Sequence, residues 1–294
     1  MIKLLRRHEV DEKKWDECIN QSEFPSIFAK CWYLDIFTRL QWQCLIYGDY
    51  EAVLPLFKKR KWFIPYVTQP FLCQQGGVFS KAKKGFDADM LYSIAVKDIF
   101  NLNILTRVAW SGHVTAKERV NHILELKVGY DKIRSGYNRN TIRNLTKARN
   151  TGIIIENEFN PDLVATFLAN NDQSGYIIPY QNNIIELIQK SFNVQSGFVL
   201  KASIDGKMNS LAYFIEDGDR LYFLLCASDV IGKNHKSLYL LIDEAIKMYA
   251  EKKMILDFTG SNIENIARRN LGFGAKTETY FQLKWNKYHQ FIKY

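Results

Sequence analysis

Long apolar runs are missing from this 294-residue sequence. The longest uncharged stretch, Trp62 to Ser80, holds Pro65, Pro70, Gly76, Gly77 and three glutamines, which excludes a membrane-spanning helix. The opening MIKLLRRHEVDEKKW lacks the apolar segment of a signal peptide, so a cytoplasmic location is expected. Cysteine is sparse: Cys18, Cys31, Cys44, Cys73 and Cys226 are scattered, odd in number and without a Cys-x-x-Cys pair. They read as reduced thiols that pack like small hydrophobes. The histidines, His8, His113, His122, His235 and His289, show no metal-ligand spacing, and no metal is expected. A P-loop, a Gly-x-Gly-x-x-Gly turn and a serine nucleophile elbow are all absent.

Aromatic residues are plentiful, with 19 Phe, 16 Tyr and 6 Trp. A hydrophobic fraction of 47% and a charged fraction of 24% are ordinary for a globular chain of one or two domains. The net charge is +9 and is partly local. From Asp131 to Asn150, six cations face the one acid Asp131. Arg139, Arg143 and Lys147 recur every four residues and would share one helix face. Like charges so aligned repel, which suits an anionic partner such as a phosphorylated or carboxylated acceptor, donor phosphates or RNA. A solvated helix face is the alternative.

The chain reads as one pattern stated twice. Residues 26–40 are helical in spacing. Residues 42–67 then alternate as strands, with turns at Gly48-Asp49 and at the basic Lys58–Lys61. A helix is expected over 87–100 and a strand over 102–110. In the second half a helix covers 182–192, strands alternate over 197–228, a helix follows over 237–253, and a strand covers Met254–Phe258. The expected fold is therefore α/β, with mixed sheets in two similar modules. The modules are placed at 1–130 and 131–294, the second beginning with the basic linking helix.

The last forty residues carry the strongest local pattern. The run Met254 to Phe258 is cut by Thr259-Gly260-Ser261, a short helical pattern stops at Gly272-Phe273-Gly274, and a strand runs over Thr279–Trp285. Gly260 and Gly274 are expected to need positive φ or close backbone approach. Asp257 ends its strand where a carboxylate could orient or deprotonate an acceptor, or could cap the following turn. Tyr176 and Tyr180, in DQSGYIIPYQNN, either line an acceptor pocket or pack within the fold. His113 follows Ser111-Gly112 as a turn residue or an acid/base group.

The pattern Asp257-Phe258-x-Gly260-Ser261, a helix, then Phe273-Gly274-Ala275 resembles the end of the GNAT superfamily, especially its FemAB-like branch of two-module acyl and aminoacyl transferases. Arg139, Ile142, Ala148 and Gly152 resemble that branch's link into the second module. The resemblance implies two tandem GNAT-like modules and a transferase that moves an acyl group from acyl-CoA to an amine. The alternatives are an aminoacyl-tRNA-dependent transferase, or a non-catalytic GNAT-like protein that binds nucleic acid. It also implies a donor loop at Gly232, Lys233, Asn234, His235, Lys236 and Ser237, whose N–H groups would hold the pyrophosphate of coenzyme A. A basic surface turn capped by Ser237 is the other reading of that segment. Asp257, Ser261 and Tyr280 form the implied catalytic set. Tyr280 or Tyr239 replaces the family's thiolate-protonating tyrosine, which is missing from Arg268 to Asn270. Arg139, Arg143, Lys147, Tyr176 and Tyr180 would face an anionic or peptidoglycan-precursor-like acceptor, or tRNA.

Overall fold

A computed structural model describes residues 1–82, 86–108, 110–111, 115–172, 174–260 and 262–287. In chain order the strands are β1 Ile2–Arg6, β2 Gln43–Tyr47, β3 Ala52–Leu56, β4 Lys58–Lys61, β5 Ile64–Thr68, β6 Phe79–Ser80, β7 Asn101–Thr106, β8 Thr115–Glu125, β9 Ile154–Asn157, β10 Gly197–Ile204, β11 Lys207–Asp217, β12 Arg220–Ser228, β13 Ile255–Asp257 and β14 Lys276–Asn286. The helices are α1 Glu12–Gln21, α2 Cys31–Thr38, α3 Asp89–Ala95, α4 Tyr130–Arg134, α5 Arg139–Arg149, α6 Pro161–Asn170, α7 Gln181–Asn193, α8 Val230–His235, α9 Ser237–Tyr249 and α10 Glu264–Gly272. Among the described residues no helix is long and apolar enough to cross a membrane.

Two units emerge from the contacts, 1–119 with 279–294, and 120–278. In the second, the strand order is β9-β10-β11-β12-β13-β8, with β12 and β13 the parallel pair and every other neighbour antiparallel. In the first, β1-β2-β3-β6 form one antiparallel sheet, while β4, which follows β3 after the single residue Phe57, belongs to another with β5, β7 and β14. There β5 and β7 are the parallel pair, and β4-β5 and β7-β14 are antiparallel. The duplicated pattern is thus present in element order, a helix leading into the second strand of each parallel pair, while the first unit divides its strands between two sheets.

Each unit takes its last strand from the chain that follows the other. β14, after the second unit's α10, pairs with β7, while β8, after the first unit's β7, pairs with β13. The sequence puts a boundary at 130/131. In the structure the chain crosses inside β8, between Arg119 and Val120, and returns inside β14, between Glu278 and Thr279.

The second unit's core follows from alternation. Phe198, Phe214 and Phe223 stand opposite one another on β10, β11 and β12, with ring centroids 5.0 and 5.1 Å apart. Such cross-strand aromatic pairs stabilise a sheet face. The apolar side of α9, including Leu241, Ala245 and Tyr249, lies in the same cluster. On the other face Tyr213 reaches Ser191 of α7, hydroxyl to hydroxyl at 2.7 Å. Where the sequence reads a basic turn, Lys58–Lys61 form strand β4 and the chain turns at Trp62-Phe63. Lysines suit an exposed edge strand, so their charge misplaces the turn. The helix expected over 87–100 is formed only over α3.

Candidate active site

The parallel pair of the second unit separates early. β12 has nine residues and β13 three, and only Arg220↔Ile255, Leu221↔Leu256 and Tyr222↔Asp257 are in register. Beyond them Thr259 and Gly260 both take left-handed backbone, φ 55 and 75, and turn the chain aside. The Thr259 hydroxyl donates to the Phe223 carbonyl at 2.8 Å and fixes that turn to β12. Opposite, the β11–β12 ladder shifts between Tyr213↔Leu225 and Phe214↔Phe223, so Leu224 is an extra residue without a partner. A bulge of this kind re-aims local backbone groups and marks sites in many sheets.

Asp257 sits at the fork. It is 1% exposed and both its oxygens are engaged. Oδ1 accepts from the Thr259 amide at 2.8 Å and from Asn121 Nδ2 at 3.0 Å, while Oδ2 pairs with Arg220 Nη1 at 2.6 Å. The same guanidinium reaches Glu278 at 3.3 Å, and Asn121 Nδ2 also reaches Glu278 Oε2 at 3.3 Å. Burial raises the Asp257 pKa above its ordinary value, against the pull of Arg220. These contacts make Asp257 the anchor of the fork rather than a carboxylate facing a ligand. Tyr280 is buried on β14 within the first unit, and Ser261 lies outside the described residues, as does His113. Of the expected catalytic set only Asp257 is therefore placed in the second unit.

The expected donor loop is helical. Asp229 caps α8 by accepting from the Gly232 amide at 2.7 Å, so that N–H is committed within the chain. Gly232 is there for packing, since a Cβ would lie 2.3 Å from the Asn209 carbonyl on β11. Lys236 then takes left-handed backbone, φ 63, and α9 starts without a side-chain cap. Ser237 is buried, but its hydroxyl has no partner, and the same holds for His235 Nδ1. The side chains of Lys233 and Asn234 are exposed and Lys236 is half-buried. α9 begins at Ser237, where the sequence places the helix, and the Tyr239 amide of its first turn donates to the Lys236 carbonyl at 2.9 Å.

Helix α5 forms as its spacing predicts. Asn138 caps it, accepting from the Thr141 amide at 2.8 Å, and Thr141, Asn144, Leu145 and Ala148 are buried. Arg139, Arg143 and Lys147 share the exposed face, and Arg143 donates to Asn140 at 2.8 Å. The two segments that carry the family resemblance meet here. The Asn138 amide donates to the Gly272 carbonyl at 2.9 Å, and the rings of Tyr137 and Phe273 lie 5.1 Å apart. Gly274, φ 81, places its Cα hydrogens where a Cβ would be 3.1 Å from the Gly136 carbonyl. Phe273 is fully buried. Tyr176 is exposed on the loop before α7, and Tyr180 is half-buried at its start.

Two polar clusters escape the sequence reading. One is Arg220–Asp257–Glu278–Asn121. The other surrounds Asp243 of α9, which accepts from Tyr130 at 2.9 Å, Tyr137 at 3.0 Å and Arg149 at 2.7 Å. Its signal is an acid on the apolar side of α9, between Leu240 and Ile246. Two cavities lie in the first unit. One of about 480 Å³ is lined by Arg6, Arg7, His8, Trp42, Lys58 and Arg60 among others, and a smaller one by Phe24, Gly76, Phe86 and Arg107 among others. None of the expected site residues lines either. Among the described residues no group of three or more His, Cys, Asp or Glu is placed to hold a metal ion.

No protein-family model matches the sequence, and no curated protein does. Solved structures do. A structure of FemX aligns over 99% of this chain and 100% of its own, with a TM-score of 0.66 and 12% identity. The C-terminal domain (DUF2156) of a putative lysylphosphatidylglycerol synthetase from Agrobacterium fabrum aligns over 93% of each chain at 0.57 and 10%. A tandem GNAT protein from the clavulanic acid biosynthesis pathway aligns over 97% of this chain and 98% of its own, at 0.54 and 9%. The chain therefore has the tandem GNAT, FemAB-like fold.

Proposed function

We propose that the protein transfers an acyl group from acyl-CoA to an amine, in the gap between β12 and β13. The observation that carries the reading is the fork itself: a parallel pair that parts after three registers, with Leu224 bulged out of the neighbouring ladder. Backbone groups between parting strands can hold an acyl carbonyl and polarise it, so positioning and electrostatics supply the catalysis. The pyrophosphate of coenzyme A would lie at the start of α9, near Lys233, Lys236 and the unpartnered Ser237 hydroxyl. Asp257 would act as a positioning residue that holds the fork through Arg220 and Thr259. Tyr280 and Ser261 stay candidates for contact with donor or acceptor.

An aminoacyl-tRNA donor is the second reading. It is favoured by the exposed row Arg139, Arg143 and Lys147, and that row would also suit an anionic, peptidoglycan-precursor-like acceptor. Calorimetric titration with acetyl-CoA, longer acyl-CoAs and coenzyme A separates the two. Saturable binding that weakens about tenfold or more in Lys233→Ala/Lys236→Ala, with an unchanged melting point, is expected if α9 takes the pyrophosphate. Absence of binding by every coenzyme A species, with tRNA bound and lost in Arg139→Ala/Arg143→Ala, would turn the assignment to the second reading.

A further inference from the structure

The β4–β5 hairpin of the first unit carries apolar surface and charge that its own packing does not use. Trp62 and Phe63 at its turn are 86% and 95% exposed, and Ile64 beyond them is 48% exposed. Hairpin turns normally hold Gly, Asn or Asp. Trp62 takes left-handed backbone, φ 59, which glycine or asparagine adopts far more readily, so nothing local favours tryptophan there. Directly behind the tip stand Lys58, Lys59, Arg60 and Lys61, and none is joined in an ion pair to a described carboxylate. From Ala52 to Phe86 the sequence has no Asp or Glu. Strand alternation divides the four cations between faces. Lys58 and Arg60 line the larger cavity beside Arg6 and Arg7, and Lys59 and Lys61 occupy the opposite face. Protection of an edge strand accounts for lysines on β4, but not for a Trp-Phe-Ile tip.

Apolar side chains at the extremity, tryptophan among them, with cations set back along the strands, reproduce the layering of one bilayer leaflet. Acyl chains lie deepest, then the interface that tryptophan prefers, then the phosphates. We infer that this hairpin docks the protein on an anionic phospholipid surface. Trp62, Phe63 and Ile64 enter the interface, and Lys58 to Lys61 meet lipid phosphates. Neither part would suffice alone, because stable anchoring needs both an apolar and an electrostatic contribution. A nucleic acid fits less well: single strands are held by accessible aromatics interleaved with cations along a groove, and here the exposed aromatics, Trp62 and Phe63, are both at the tip, while Tyr66 opposite Lys59 is half-buried and Trp42 beside Arg60 is buried. The inference is independent of the transfer chemistry.

The test is co-sedimentation of the full chain with vesicles of phosphatidylcholine, with and without phosphatidylglycerol, at low and high salt. The variants are Trp62→Ser/Phe63→Ser and Lys59→Ser/Lys61→Ser, all at exposed positions, with melting points confirming that they fold. Binding should require phosphatidylglycerol, weaken with salt, and fall roughly tenfold or more in each variant. Trp62→Phe should still bind while losing the fluorescence quenching that brominated lipid produces in the wild type. Failure of the wild type to bind overturns the inference. So does equal binding to phosphatidylcholine alone, or serine-tip binding that matches wild type. A short RNA that binds through the same residues, with no vesicle binding, would replace the membrane by a nucleic acid.

Discussion

Replacing Arg220 by methionine should destabilise the protein by about 3–5 kcal/mol, because it leaves a buried carboxylate without its counter-ion. The Asp257 side chain is 2% exposed and that of Glu278 15%, and Arg220 is the cation that bonds both. Without it the Asn121 amide, at 3.0 and 3.3 Å, is the donor the two carboxylates would share. Two negative charges cannot remain there, so Asp257, already raised by burial, should take up a proton. The sign follows. In the variant the folded chain keeps a proton that the unfolded chain, with an aspartate pKa of about 3.9, releases. The deficit against wild type should therefore be small near pH 4 and grow as pH rises through the raised folded value. At neutral pH the loss corresponds to roughly 6–20 °C in melting temperature. Calorimetric melts of wild type, Arg220→Met and Arg220→Met/Asp257→Asn across pH measure it, and the double variant should recover part of the stability. A melting point within a degree of wild type at neutral pH would refute the anchoring role of Asp257, as would a loss that neither acid nor Asp257→Asn relieves.

Two further outcomes are expected. Gly274→Val should lower stability by roughly 1–3 kcal/mol from left-handed backbone strain alone. It should cost more through the contact at Gly136, and shift the resonances of Phe273 and Tyr137. A wild-type melting curve would show that the turn accepts a side chain. His122 is buried on β8, its Nδ1 has no partner, and desolvation lowers its pKa. The unfolded chain therefore gains a proton that the folded chain resists, and stability should decline as pH falls below about 6.5. His122→Gln should flatten that part of the pH–stability curve, and an unchanged slope would assign the decline to other groups.

What the sequence determined by itself is local. The apolar spacing of α9, the shared face of Arg139, Arg143 and Lys147 on α5, and the alternation of β10 to β12 depend on neighbours within a few residues, and each forms as read. Gly260 and Gly274 announce positive φ because few other residues tolerate it, and both have it, at 75 and 81. The duplicated element order was legible for the same reason. Only the tertiary structure decided which distant groups meet. Arg220 reaches Asp257 across 37 positions and Glu278 across 58, and Arg149 reaches Asp243 across 94, so no periodicity records these pairs. The exchange of β8 and β14 between units depends on strand pairing, which sequence order does not encode. Gly232 looked like part of a phosphate-binding loop, because a glycine needed for backbone freedom and one needed for close packing are the same letter. The carbonyl of Asn209, 2.3 Å from the absent Cβ, distinguishes them, and it comes from another strand.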